Sequence, residues 1–248
     1  MTVQTLARVT PEGTKSVLAS DDEPLPLRTE LFLIAHDHDT GRPHVSRRRL
    51  EIALAGAILL GLWLVGRIQI GWRYDARSAH EELDPGRIIV LSDESVGDPL
   101  ADSVLATLCR TPTPHVHTVI RDLAATGLYE RVAGDMIAAG ILRRGTRRWF
   151  RRFRRDTYQP VSESFAVRVR NRLRDLVTGN PRPGEWQAGE AYEPHNTALA
   201  ALVVVLRLTP YLYSGLDPAR LRRMLIDQVE RRPGQSIRDV AAAVGRGR

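Results

Sequence analysis

The chain has 248 residues, 43% of them hydrophobic, which is enough to build a substantial core and excludes wholesale disorder. Lys and Arg outnumber Asp and Glu by 36 to 29, for a net charge of +7 and an isoelectric point near 10.2, so the partners implied are acidic, without a choice between DNA, RNA and membrane. A single cysteine, Cys109, excludes a disulfide framework and a cysteine-based zinc site, and the N-terminus lacks the charged start and apolar run of a secretory signal, so a cytoplasmic protein is expected.

Residues 1 to 23 read as a flexible tail, with residues 24 to 248 as one domain. Leu27, Leu31 and Ile34, with Leu33 beside them, have helical spacing, and the polar turn DHDTGRP follows. Ser46 is placed to cap the next helix, whose run from Ile52 to Gly66 has no charge. That run is about 15 residues long, whereas a membrane span needs about 20, so the sequence predicts a helix buried in a globular core. Arg67 to Ile70 and Arg87 to Leu91 read as short strands. Asp98 and Pro99 open a helix as N-cap and first helical residue, and Cys109 falls within its apolar pattern, which predicts a buried, inert thiol. His117 to Leu123 and Tyr129 to Leu142 continue as helices. A hairpin is expected at about 141–156 with Gly145 at its tip. Beyond it come an amphipathic helix from Val161 to Val177, a Pro/Gly-rich loop from Asn180 to Glu193, and an apolar helix from Thr197 to Leu208. A helix opened by Asp217 and Pro218 and a last one from Ile237 to Val244 complete the chain. The class is mainly α: a central apolar helix core, a few short strands and a protruding basic hairpin.

Residues 143–155 read RRGTRRWFRRFRR, with eight arginines and no acid. Arg143, Arg144, Arg147, Arg148, Arg151, Arg152, Arg154 and Arg155, interleaved with Trp149, Phe150 and Phe153, form a candidate membrane-binding segment. Dense positive charge calls for phosphates, and rings among the charges suit insertion at the headgroup level. The alternative partner is nucleic acid, with the hairpin as the wing of a winged-helix reader and IRDVAAAVGRGR echoing a helix-turn-helix. Against it, the helix before the hairpin, ERVAGDMIAAGIL, offers few polar residues to reach base edges. Arg47, Arg48, Arg49 and Arg131 make a second, looser candidate anion site. Cations at a helix start oppose the helix dipole, which hints at a compensating anion.

His36, Asp37, His38, Asp39 and His44 crowd one turn, read here as an exposed polar turn rather than a metal centre. His115 and His117 can share a metal only where the chain is extended. The paired carboxylates Glu81–Glu82 and Glu190–Glu193 lie in polar stretches. No phosphate loop, nucleophile elbow or HExxH is present, so no catalytic residue, metal or cofactor is expected and the chain is read as a non-enzyme.

Several segments in the right order resemble the Golgi phosphoprotein 3 family in its bacterial form. They are LRTELFLIAHDHDTGRPHVS, LAGAILLGLWLVGRIQI, VGDPLADSVL (with Val96 where the family motif has threonine), ERVAGDMIAAGILRR and EPHNTALAALVVVLRL. The resemblance implies a helical core with a protruding β-hairpin that contacts the bilayer and supports self-association. It also implies binding of phosphatidylinositol 4-phosphate and an adaptor role toward a client protein. At the four headgroup positions this chain has Ser46, Ala55, Thr126 and Tyr129 in place of the family's tryptophan and basic residues, so the cationic fork is not retained. The expected protein is peripheral, on the inner face of an anionic phospholipid membrane, with homo-oligomerisation through the hairpin and nucleic acid as the weaker partner.

Overall fold

A single helix, α2 (Arg47–Leu64), organises the fold, because it is apolar on every face and is therefore stable only when surrounded. Every residue from Ile52 to Leu60 is buried. The computed structural model describes residues 24–75, 80–112, 114–149, 153–178, 193–212, 217–231 and 235–247. The expected tail at 1–23 and nearly all of the expected loop from Asn180 to Glu193 lie outside them.

Helices α1 (Leu27–Ile34), α4 (Val116–Ala124), α5 (Leu128–Ala138), α7 (Glu193–Leu206) and α9 (Gln235–Arg246) all pack against α2. Helix α3 (Pro99–Arg110) touches it more lightly. Helix α6 (Glu163–Thr178) joins through α1 and α7, and α8 (Pro218–Arg231) through α6 and α7. Helix α7 repeats the logic of α2: residues 196 to 203 are all buried. Together these elements close one continuous apolar cluster. Each fully buried Leu or Ile in it contributes about 1.5–3 kcal/mol, so truncating Leu59 to alanine at the centre of α2 costs roughly 2–5 kcal/mol.

Local signals set the helix starts. The Ser46 hydroxyl accepts from Arg49 N at 3.4 Å. Asp98 accepts from Leu100 N and Ala101 N at 3.1 and 3.3 Å, and the same carboxylate pairs with Arg28 of α1. The Asp-Pro motif therefore both starts α3 and ties it to α1.

Two antiparallel hairpins complete the fold. Strands β1 (Ile68–Asp75) and β2 (His80–Val90) pair with a bulge between Ile70 and Trp72. They run further into the linking segment than the two short expected strands. Strands β3 (Leu142–Trp149) and β4 (Phe153–Pro160) form the second hairpin. Here three expectations need correction. Helix α5 stops at Ala138 rather than Leu142, because Gly140 adopts φ +71° and Ile141 turns into the hairpin. Gly145 is not the tip: it lies within β3 opposite Thr157, and the strands continue to Trp149 and Phe153. Cys109 is exposed, one step round α3 from buried Leu108. Of the described helices, none is long and apolar enough to cross a membrane.

Candidate functional site

The start of α2, the first turn of α5 and the base of the β3–β4 hairpin meet at one end of the fold. Tyr129 is the pivot. It is buried, with its ring 5.2 Å from Phe32, 5.6 Å from His36 and 5.7 Å from Tyr158, centroid to centroid. His36 Nδ1 lies 2.7 Å from the Phe32 carbonyl and Nε2 lies 2.8 Å from the Tyr129 hydroxyl. A carbonyl only accepts, so Nδ1 carries the ring proton and Nε2 accepts from Tyr129. This is a neutral histidine: burial pushes its pKa down from 6.5 to about 4. The expectation of an exposed polar turn fails at His36, which turns inward. It fails in part at His44, which is half-buried and stacks on Tyr211 at 3.9 Å.

The outer side of the cluster is charged. Arg47 lies over the Tyr129 ring at 4.4 Å and pairs with Glu130 at 2.7 Å. The Tyr158 hydroxyl donates to the other oxygen of Glu130. Burial and that bond push the Tyr158 pKa up to about 12. Arg144 pairs diagonally across the hairpin with Asp156 at 2.5 Å. Gln159 donates to the Asp39 carbonyl at 2.5 Å. The turn of residues 37–43 is thus clamped to β4. Gly41, at φ +64°, makes the close approach possible: a Cβ there would come within 2.8 Å of the Tyr158 carbonyl oxygen.

The candidate residues divide as follows. Arg143 and Arg144 are exposed at the start of β3. The backbone register sets Arg147 opposite Arg155, Arg148 opposite Arg154, and Trp149 opposite Phe153. Phe150, Arg151 and Arg152 lie outside the described residues, as do the side chains of residues 146–155. Of the second group, Arg47 reaches the hairpin base. Arg131 turns back toward the Thr126 hydroxyl at 3.4 Å. Arg48 is exposed, and Arg49 lines a small crevice with Ile52, Val205 and Gly247 on the side of α7 and α9. The four arginines therefore do not form one site. The four headgroup positions do not meet at the surface either. Ser46 and Thr126 are exposed, but Ala55 sits fully buried in mid-helix and Tyr129 fills its own place with an aromatic ring.

His38, Asp39 and Glu163 bring ligand atoms within 4.8 Å of one another. Glu163 was not foreseen as their neighbour, since it lies on α6 and no local pattern links it to the turn. Glu130, Tyr158 and Phe32 were missed for the same reason. Glu30 was missed too: fully buried in α1, it binds Arg172 of α6 and, at 2.8 Å, His195 of α7.

The nucleic-acid arrangement gains nothing from this geometry. Helix α5 buries Leu128, Tyr129, Val132, Ala133 and Met136, and its exposed positions include Glu130 and Asp135. The helix-turn-helix echo falls on α9, whose Ile237, Val240, Ala243 and Val244 are buried in the core.

A helical globule centred on one buried helix, with an arginine-rich hairpin beside an aromatic clamp, defines the class of protein. The profile of the Golgi phosphoprotein 3 (GPP34) family matches residues 27–244. The chain belongs to that family. Among curated proteins, none matches it.

Proposed function

We propose that this chain is a peripheral membrane protein that docks on anionic phospholipid through the β3–β4 hairpin. Family membership supports a lipid-binding role. The observation that carries the reading is the hairpin register. Arg147 faces Arg155 and Arg148 faces Arg154 directly across the strands. Like charges directly opposite are destabilising by roughly 0.2–1 kcal/mol per pair. A sequence that places two such pairs in succession, flanked by Trp149 and Phe153, holds a cationic ribbon that a polyanionic surface would relieve. Near an anionic bilayer each arginine contributes about 1 kcal/mol before screening, so the eight together supply several kcal/mol even with the share of Arg144 reduced by its pairing with Asp156. That strength suits reversible attachment, with the rings at the headgroup level.

Phosphatidylinositol 4-phosphate is not the ligand this reading favours. Tyr129 and Ala55 put an aromatic ring and a buried methyl at two of the headgroup positions, and Glu130 already neutralises Arg47. The lipid selectivity proposed is for negative charge in general, on the inner face of the membrane. The role is non-catalytic: an adaptor that presents the remaining surface to a client protein, with self-association through the hairpin.

The test is co-sedimentation with vesicles of phosphatidylglycerol, cardiolipin, phosphatidylinositol 4-phosphate mixtures and phosphatidylcholine, beside a DNA mobility-shift assay at equal salt. Pelleting that follows vesicle charge regardless of headgroup is the expected result. DNA binding without pelleting would replace this reading with the nucleic-acid one.

A further inference from the structure

Two histidines far from the hairpin base converge on a single point. His115 stands in extended conformation (φ −120°, ψ 137°) just ahead of α4 and bridges to Arg87 of β2. His117 follows in the first turn of α4. Their Nδ1 atoms lie 2.7 Å apart. The opposite nitrogen of each ring has its own oxygen partner: His115 Nε2 is 3.0 Å from the Pro85 carbonyl, and His117 Nε2 is 3.2 Å from the Thr118 hydroxyl. Because a carbonyl only accepts, His115 carries its proton on Nε2 and leaves Nδ1 as a bare lone pair. At 2.7 Å the two Nδ1 atoms share one proton: His117 Nδ1–H donates to the His115 lone pair, and His117 Nε2 accepts from the Thr118 hydroxyl. A metal ion that takes the place of this proton moves it to His117 Nε2, where the Thr118 oxygen accepts it, and both Nδ1 lone pairs then converge on the ion. Imidazoles whose second nitrogen is held by an oxygen acceptor are the recurring form of metal-bound histidine. Gly86 seats the His115 ring: a Cβ at that position, where φ is +82°, would overlap the ring's Cε1.

We propose that His115 and His117 chelate a divalent transition-metal ion of the zinc, nickel or copper group through their two Nδ1 atoms. The surrounding charge is mixed. The Asp239 carboxylate, which accepts from Gly86 N at 3.0 Å, brings a negative charge to the glycine that seats the ring and favours a cation. Arg121 and Arg246 act on His117 and oppose one, as does the positive end of α4. Two imidazoles against that field give a micromolar, exchangeable site rather than a structural one. The ligand chemistry also separates it from the group of His38, Asp39 and Glu163, whose two carboxylates suit harder ions such as manganese or magnesium.

The experiment is calorimetric titration of the untagged, full-length protein with Zn2+, and separately with Mg2+, for wild type, His117→Ala, His115→Ala and His38→Ala. Copper electron paramagnetic resonance on the wild type reports the donor atoms. Expected are one Zn2+ per chain, affinity at least tenfold weaker in His117→Ala and His115→Ala and unchanged in His38→Ala, no Mg2+ heat at this site, and copper hyperfine structure from two nitrogens. His117 is exposed, so its variant keeps the fold, and it decides the matter should His115→Ala melt early. Absence of Zn2+ binding to the folded wild type overturns the proposal. So does a Zn2+ site that survives His117→Ala, or one lost in His38→Ala alone.

Discussion

The neutral, buried His36 makes the stability of this protein depend on pH in a calculable way. Its pKa falls from 6.5 to about 4 on folding, chiefly through burial. The unfolded ring therefore takes up its proton first as pH drops. The sign follows: this contribution is complete above pH 6.5 and is lost progressively as pH falls toward about 4. A shift of that size corresponds to about 3 kcal/mol in all, of which about 2 kcal/mol is gone by pH 5, where most carboxylates remain ionised. Urea unfolding followed by circular dichroism at pH 7.5 and pH 5 measures it. The control is the double variant His36→Phe/Tyr129→Phe, which removes the hydrogen-bonded pair and leaves two rings of similar shape. Its absolute stability will differ, but its change between the two pH values should be smaller than that of the wild type by about 2 kcal/mol. A difference under about 0.5 kcal/mol would refute the assignment of a neutral, proton-excluding His36.

Three further outcomes follow from the same geometry. Glu30→Ala should cost roughly 3–5 kcal/mol in chemical denaturation, since it strips a buried carboxylate from Arg172 and His195 and leaves Arg172 uncompensated; a loss under about 1 kcal/mol would show that α1, α6 and α7 do not depend on this pair. Gly41→Ala should lower stability by about 2 kcal/mol, through left-handed backbone and collision with the Tyr158 main chain, and should speed hydrogen exchange in β4; unchanged exchange would contradict the clamp. Arg154→Glu should act in opposite directions. It turns the facing pair with Arg148 into an attractive one worth up to about 1 kcal/mol, seen as slower exchange of the hairpin amides. It should also weaken binding to anionic vesicles by about 2 kcal/mol, roughly thirtyfold, since the local charge falls by two. Binding that strengthens along with the hairpin would overturn the electrostatic reading.

Helices α2 and α7 were legible because their apolar runs are continuous, and Ser46 and Asp98 because capping is a local act. The hairpin was legible as a hairpin, but its tip was misplaced: glycine was read as a turn, while Gly145 holds ordinary extended backbone beside Thr157. Cys109 shows the limit of reading an apolar pattern without its phase, since one residue past Leu108 the helix already faces solvent. The hairpin arginines stand out in composition, whereas the clamp at the hairpin base does not. Tyr158 meets Glu130 across 28 residues, and His195 meets Glu30 across 165, and no periodicity connects such positions. The headgroup positions illustrate the same point. Sequence showed that their charges were replaced and put Ala55 in the buried run, and only the packing showed that Tyr129 fills its position with a ring set among Phe32, His36 and Tyr158.

Docking through the β3–β4 hairpin predicts that the segment joining its two strands enters the headgroup layer of negatively charged bilayers. Replacing Arg151, which lies in the sequence between β3 and β4, with cysteine in a Cys109→Ser background allows one environment-sensitive fluorophore to be attached to that segment, because Cys109 is the sole native thiol and is exposed. Mixing with phosphatidylglycerol vesicles should shift its emission to the blue and raise its intensity, and phosphatidylcholine vesicles should do neither. An emission spectrum that stays unchanged while the protein pellets with the vesicles would mean that another surface does the docking.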